Sequence, residues 1–356
     1  MPIKELYHSW NHFVNRLRPE ERVTRKRNFV WLLVGLYQSR SVHLSKIAEK
    51  IPGLTRLPSR ARRIQRFLEN RAVHVRDWYE PVARRVLQRL GTGKLRLILD
   101  GSKVGFGHQL LLVAVAYRKR AIPLAWTWVK SSRGHSSSWK QMALLSYVHG
   151  LIPAGYRVIA LGDAEFGDVK VQKLLKKWHW KYVLRQRGRY LFKRKAQRRL
   201  QRLDSLVSQP GQQVWLEGCR LTAKHLYQVN LLAYWQPGEE KPWLLATNLS
   251  NPQATLKAYR VRMWIEETFG DLKGHGFDLE STHLRNFLRL SVLTLAVMLL
   301  YVWLLAFGSQ VIKSGQRRLV DRNDRRDYSL FRIGQNMAER LLINGFQLHL
   351  SLKLYT

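Results

Sequence analysis

Four side chains in the C-terminal third combine residue types that phosphate chemistry uses: Tyr259, Arg262, Glu266 and Lys273. They fall in 251–276, where Asn-Pro is a helix-start signal, with Asn251 as N-cap and Pro252 at the first helical position. Gly274 and Gly276 stop the helix. At about 100° per residue the four lie within an arc of roughly 60°, with Val261, Ile265, Thr268 and Leu272 clustered on the opposite side. One stripe is apolar, and the other carries a single carboxylate among a phenol, a guanidinium and an ammonium. That mixture suits a metal-binding carboxylate working beside a phosphate. It also describes a solvated face with an i, i+4 Arg–Glu pair.

Two more carboxylates sit where an α/β sheet exposes its side chains. Asp100 closes the apolar run LRLILD, and Asp163 comes after the apolar run 157–161 and Gly162. An Asp that closes a strand often does no more than cap the turn. Two of them in order before Glu266, in a chain with only 24 acidic residues among 356, form a more specific pattern. Three carboxylates without His or Cys make a hard oxygen site suited to Mg²⁺ or Mn²⁺. Two such ions about 3.5–4 Å apart can activate a water or a DNA 3′-hydroxyl and stabilise the leaving oxygen of an in-line displacement.

The spacing Tyr-x2-Arg-x3-Glu-x6-Lys resembles, at all four positions, the signature of DDE transposases from bacterial insertion sequences, the group typified by the transposon-five enzyme. The resemblance implies a metal site of Asp100, Asp163 and Glu266, with Asp100 bridging two Mg²⁺ ions (Mn²⁺ substituting) and the other two acids holding one each. It implies that Tyr259, Arg262 and Lys273 grip transposon-end DNA. Arg185 matches a family Arg that contacts DNA near the cut, although the end of a strand is also an ordinary place for a surface Arg. Trp243, in Trp243-Leu-Leu-Ala-Thr247, takes the place of an insertion Trp that stacks on a flipped base, and it could equally be core. Asp163-Ala-Glu165 echoes the family's Asp-Arg-Glu; Ala164 leaves the Arg without a counterpart, and Glu165 reads as a supporting residue. The implied partners are double-stranded DNA, both terminal inverted repeats and target, and a second copy of the chain in the DNA complex. The implied activity is cut-and-paste transposition by metal-dependent nicking, a hairpin intermediate and strand transfer. A silent transposase-derived DNA-binding protein, or a nuclease without strand transfer, would share much of this pattern.

The surrounding elements must position these groups. Residues 1–92 read as a helical, basic DNA-binding domain. Within it, 45–50, a Pro52-Gly53 turn and 59–70 form a candidate helix–turn–helix, with Arg60, Arg63 and Arg66 outward and Ile64, Phe67 and Leu68 inward. Strands at 95–100, 110–117 and 122–130, a helix opened by Ser136–Ser138, a strand at 157–161, a helix at 168–178 and a strand at 181–184 match the order of a ribonuclease H-like core. The expected fold is therefore α/β: that core over 93–285, interrupted at about 188–250 by a mostly β insertion, then a helical region over 286–356, a candidate dimerisation element.

Bulk properties agree with a polyanion partner. The chain has 62 Lys+Arg against 24 Asp+Glu, a net charge of +38 spread over several segments, so it should bind nucleic acid with a steep salt dependence. One cysteine, Cys219, excludes an internal disulfide or a Cys-rich zinc site, and a reducing compartment is expected; the resemblance implies the cytoplasm and the bacterial nucleoid. Residues 290–307 form an eighteen-residue run without a charge, at the lower limit for a membrane span. A buried core helix and no membrane are the expectation there.

Overall fold

The computed structural model describes residues 2–355 apart from 92, 106, 131–135, 196 and 198. The chain divides into two compact units, one of Met1–Gly91, Lys103–His108 and Phe269–Thr356, the other of Thr92–Ser102 and Gln109–Thr268.

The second unit is mixed α/β. Strand β1 (Lys94–Val104) starts in it, and β2 (His108–Tyr117), β3 (Arg120–Lys130), β4 (Arg157–Gly162) and β5 (Lys181–Arg185) come next. After these come β6 (Leu191–Lys193), β7 (Gln201–Arg202), β8 (Gln213–Leu221), β9 (Tyr227–Tyr234) and β10 (Trp243–Thr247). All ten join one sheet in the order β3-β2-β1-β4-β5-β10-β9-β8-β6-β7. The centre is parallel, with β4 between β1 and β5. Its strands are near-continuous apolar runs, as expected where both faces are covered. Beyond β5 the sheet turns antiparallel through β10, β9, β8 and β6, whose inward side chains, including Phe192, Cys219, Leu231 and Ala246, form a core of their own.

Local chemistry sets the connections. Arg118 and Lys119, both with positive φ (44° and 64°), turn β2 into β3 in the manner of a two-residue hairpin loop. Helix α6 (Ser138–Leu151) is capped by Ser137, whose side chain accepts the Lys140 N–H. Asp168 does the same for α7 (Val169–Lys177), accepting the Lys170 N–H at 2.7 Å.

The expected single helix over 251–276 is instead three pieces. Asn251 caps α8 (Pro252–Arg260), accepting the Ala254 N–H at 2.8 Å. A 3₁₀ turn, Val261–Met263, comes next, and then α9 (Trp264–Leu272). Three residues at about 120° each, rather than about 100°, rotate α9 by roughly 60° relative to α8. Tyr259 is buried at 1% exposure while Glu266 is exposed, so the four signature residues do not form one solvent-facing stripe.

The first unit is helical: α1 (Pro2–Leu17), α2 (Val23–Ser39), α3 (Leu44–Glu49), α4 (Leu57–Leu68) and α5 (Val75–Arg89) come from the N-terminal part. They join α10 (Phe287–Lys313) and α11 (Leu330–Ile343), which the sequence pattern sets apart as a separate region. In α4, Ile64, Phe67 and Leu68 are buried, Arg63 and Arg66 exposed, and Arg60 donates to the Ile51 carbonyl. Helix α10 is long and apolar enough to cross a membrane by length and composition, and 94% of its most apolar window is buried inside the protein. Trp303 on α10 meets Trp10 and Tyr37 edge-on at 5.3 and 5.7 Å. Gly308 and Gly334 let α10 and α11 cross in close contact, since a Cβ at either would strike the other helix's backbone.

Candidate active site

Sheet register brings the two aspartates level. The parallel pairing of β1 and β4 ends at Leu99↔Gly162. Asp100 and Asp163 are the next residue on each chain, one rung past the last pair. Asp100 does not end its strand, because β1 runs on to Val104 after leaving β4. It is 6% exposed and accepts the Gly101 N–H at 2.8 Å.

Arg262, from the 3₁₀ turn, reaches both Asp100 and Glu266. Its Nη2 donates to Asp100 Oδ2 at 2.9 Å and its Nη1 to Glu266 Oε1 at 3.0 Å. The guanidinium is itself largely buried, and its Nε finds no partner.

Burial pushes the Asp100 carboxyl up to about 7, against the pull of Arg262, with the charges of Asp163 and Glu266 adding to the rise. Asp163 is raised chiefly by burial as well, opposed by the Glu165 N–H and Arg262, with Arg185 also favouring its anion. Asp100 thus feels both other acids, and each makes its carboxyl harder to ionise.

The loop after β4 is tied down by Glu165. Its N–H donates to Asp163 Oδ1 at 2.9 Å. Its carboxylate accepts Gln109 Nε2 at 2.9 Å, the Ser136 N–H at 2.6 Å and the Ser136 hydroxyl. Gln141, 1% exposed, donates to the Glu165 carbonyl at 3.1 Å and to Ser136 Oγ at 3.0 Å. Gly101 leaves the space that Gln109 uses, since a Cβ there would run into the Gln109 amide. Glu165 was legible as a supporting residue from Asp163-x-Glu165. Gln109, Ser136 and Gln141 left no signal in the sequence, because their bonds to Glu165 span 24 to 56 residues.

Arg185 lies at the end of β5, donates to the Pro242 carbonyl at 3.1 Å and faces Asp163 and Tyr259 electrostatically. Trp243 is 9% exposed, its ring edge-on to Tyr259 at 5.0 Å and near Tyr234 at 6.2 Å. The Tyr259 hydroxyl is buried without a hydrogen-bond partner, and burial pushes its pKa up to about 12 despite Arg262 and Arg185. Asp100, Asp163, Arg185, Trp243, Tyr259, Arg262 and Glu266 thus all belong to the second unit. Lys273 belongs to the first, where it pairs with Glu280 at 3.3 Å.

A divalent cation can be judged against these donors. Asp100, Asp163 and Glu266 supply only carboxylate oxygens, which fits a hard ion. Among the described residues no three acidic, His or Cys side chains stand close enough together to hold one. The positive charge between Asp100 and Glu266 is the Arg262 guanidinium. The residues fit the ion in chemistry, and Arg262 must give way for them to fit it in geometry.

Residues 98–303 match the family described as the transposase DDE domain, 206 of the 356 residues and so more than half of the chain. Among solved structures, the chain is similar to a piggyBac transposase synaptic complex with hairpin DNA, seen by cryo-EM, at 10% identity over 96% of this chain and 77% of that one. The TM-score is 0.44, a likeness from which neither fold nor ligand carries over. No curated protein matches the chain.

Proposed function

The chain belongs to the family of transposase DDE domains, and on that premise we propose that it moves a bacterial insertion sequence by cut-and-paste transposition. One observation carries the assignment of the site. Asp100 and Asp163 stand one rung beyond Leu99↔Gly162, and Glu266 is linked to Asp100 through Arg262.

Transposases with DDE domains generally use divalent metal ions, and here Asp100, Asp163 and Glu266 would hold them as Mg²⁺, with Mn²⁺ substituting and two ions per site. Bound there, the ions would supply Lewis acidity for in-line displacement at a phosphodiester. The protein's own groups do the rest. Arg262 and Arg185 orient the phosphate, the first with a bidentate fork once it releases the acids. Tyr259 and Lys273 are further DNA contacts taken from the signature, and the buried, unpartnered Tyr259 hydroxyl would have to be uncovered to donate to the strand. Glu165 holds Asp163 in place.

The reaction begins with hydrolysis of one strand at the transposon end. The freed 3′-hydroxyl then attacks the opposite strand to give a hairpin, and after reopening joins target DNA. The strand order β3-β2-β1-β4-β5 supports reading residues 93–285 as a ribonuclease H-like core with β6–β10 as its insertion. The exposed Arg63 and Arg66 of α4 support end recognition by residues 1–92, and a homodimer would pair two ends through 286–356. The protein would act in the cytoplasm, on the nucleoid.

The test of the route is a gel assay on labelled DNA carrying the repeats that flank the reading frame. A hairpin on the transposon fragment, and then joined product when target plasmid is added, supports this route. Cut ends that never join assign a nuclease instead.

A further inference from the structure

Of the thirteen tryptophans, Trp139 alone is exposed, at 70%. It lies in the first turn of α6, three residues after Ser136 and two before Gln141. Both neighbours are bonded to Glu165, whose N–H holds Asp163. The indole is therefore carried on a rigid connection to the carboxylate end of the site. Lys170, in the first turn of α7, places its ammonium 5.7 Å from the ring centroid, and the adjacent Lys140 is exposed.

A large aromatic side chain left open to water is an unfavourable arrangement for packing alone, and an ammonium over one face of its ring leaves the other for a ligand that is both flat and anionic. A nucleobase with its phosphate has that combination. A paired duplex buries its base faces in the stack, so the face that Trp139 can take is that of an unpaired base. Trp243, the residue assigned this duty by resemblance, is closed off against Tyr259.

We propose that Trp139, with Lys170 over its ring, is a stacking site for an unpaired nucleobase of DNA, on the element tied through Glu165 to the loop that carries Asp163. The inference rests on the DNA-cleaving reading of the site. It predicts that Trp139→Ala weakens binding to DNA with unpaired bases and spares binding to paired DNA.

The experiment uses the full-length chain with Glu266→Gln, without divalent metal, so that binding is read without cutting. The probes are a duplex and the same duplex with a single-stranded overhang bearing 2-aminopurine. The overhang should bind with its fluorescence quenched. Adding Trp139→Ala should remove the quench and weaken overhang binding by roughly 5- to 150-fold. Trp139→Phe should keep most of both, and duplex affinity should not change. Equal losses on both probes, or no loss on either, would overturn the stacking site while leaving the DNA-cleaving reading intact. Failure of the Glu266→Gln protein itself to bind either probe would overturn that reading and the stacking site with it.

Discussion

Arg262 and Asp100, 162 residues apart in the chain, meet at 2.9 Å, and the same guanidinium holds Glu266 at 3.0 Å. The arginine supplies the positive charge that this acid pair needs before any ion arrives. An ion held by these acids would have to displace that guanidinium, so loading the candidate site would mean moving one buried side chain.

Replacing that residue should separate stability from metal affinity. Arg262→Ala leaves the buried Asp100 without its counter-charge, at a cost of about 3–5 kcal/mol if the carboxylate stays ionised and less if it takes a proton. The half-exposed Glu266 arm adds little, about 0–1 kcal/mol. With its competitor gone, divalent-metal affinity should rise. Thermal melts and Mn²⁺ titration read by electron paramagnetic resonance would show a lower Tm together with tighter binding. Weaker binding would mean that Arg262 helps to hold the ion.

The raised Asp100 carboxyl gives the metal-free protein a pH signature. A folded pKa of about 7 against an ordinary 3.8 favours the protonated folded form. Its stabilising effect is whole below about pH 4 and is lost as pH rises through 7, by at most about 4 kcal/mol. Asp100→Asn should remove this slope. Melts from pH 4 to 8 in chelator should show the variant gaining on the wild type with rising pH. Parallel curves would mean that Asp100 titrates normally.

Glu165 should matter to cutting more than to binding. Glu165→Ala strands Gln109 Nε2 and the Ser136 N–H, at about 1–3 kcal/mol per unsatisfied buried group. It also frees the loop that carries Asp163. Cleavage should fall at least tenfold, by the sensitivity of reactive geometry to small displacements, while duplex affinity holds. A cleavage assay beside fluorescence anisotropy would check it, and an equal fall in both would point to general unfolding.

The strands and the helix start that carry the candidate residues were legible in the chain because their signals are local. Apolar runs ending in Asp100 and Asp163 marked the strands, and the Asn251-Pro252 cap marked the helix start. The break at Val261–Met263 was not legible, since nothing in those residues opposes an α-helix, and neither was the burial of Tyr259. Long-range ties could not be read either, and Arg262 to Asp100 or Ser136 to Glu165 depend on sheet register. Composition showed thirteen tryptophans but not that Trp139 is the exposed one.

The helix crossing of the first unit gives a control away from the chemistry. Gly334→Ala drives a methyl into the α10 backbone at Leu304 and should cost about 1–3 kcal/mol or more. Denaturant melts would read this loss, and a neutral result would show that α11 can shift away from α10.

The most direct measurement is cleavage of labelled transposon-end DNA in Mg²⁺ or Mn²⁺ by the wild type and by Asp100→Asn, Asp163→Asn and Glu266→Gln, with DNA binding measured for each. The wild type should cut at the repeat boundary only with metal. Each variant should lose cutting while it still binds. Wild-type binding without cutting, or full cutting by any one variant, would contradict the account of these three acids as one DNA-cleaving site.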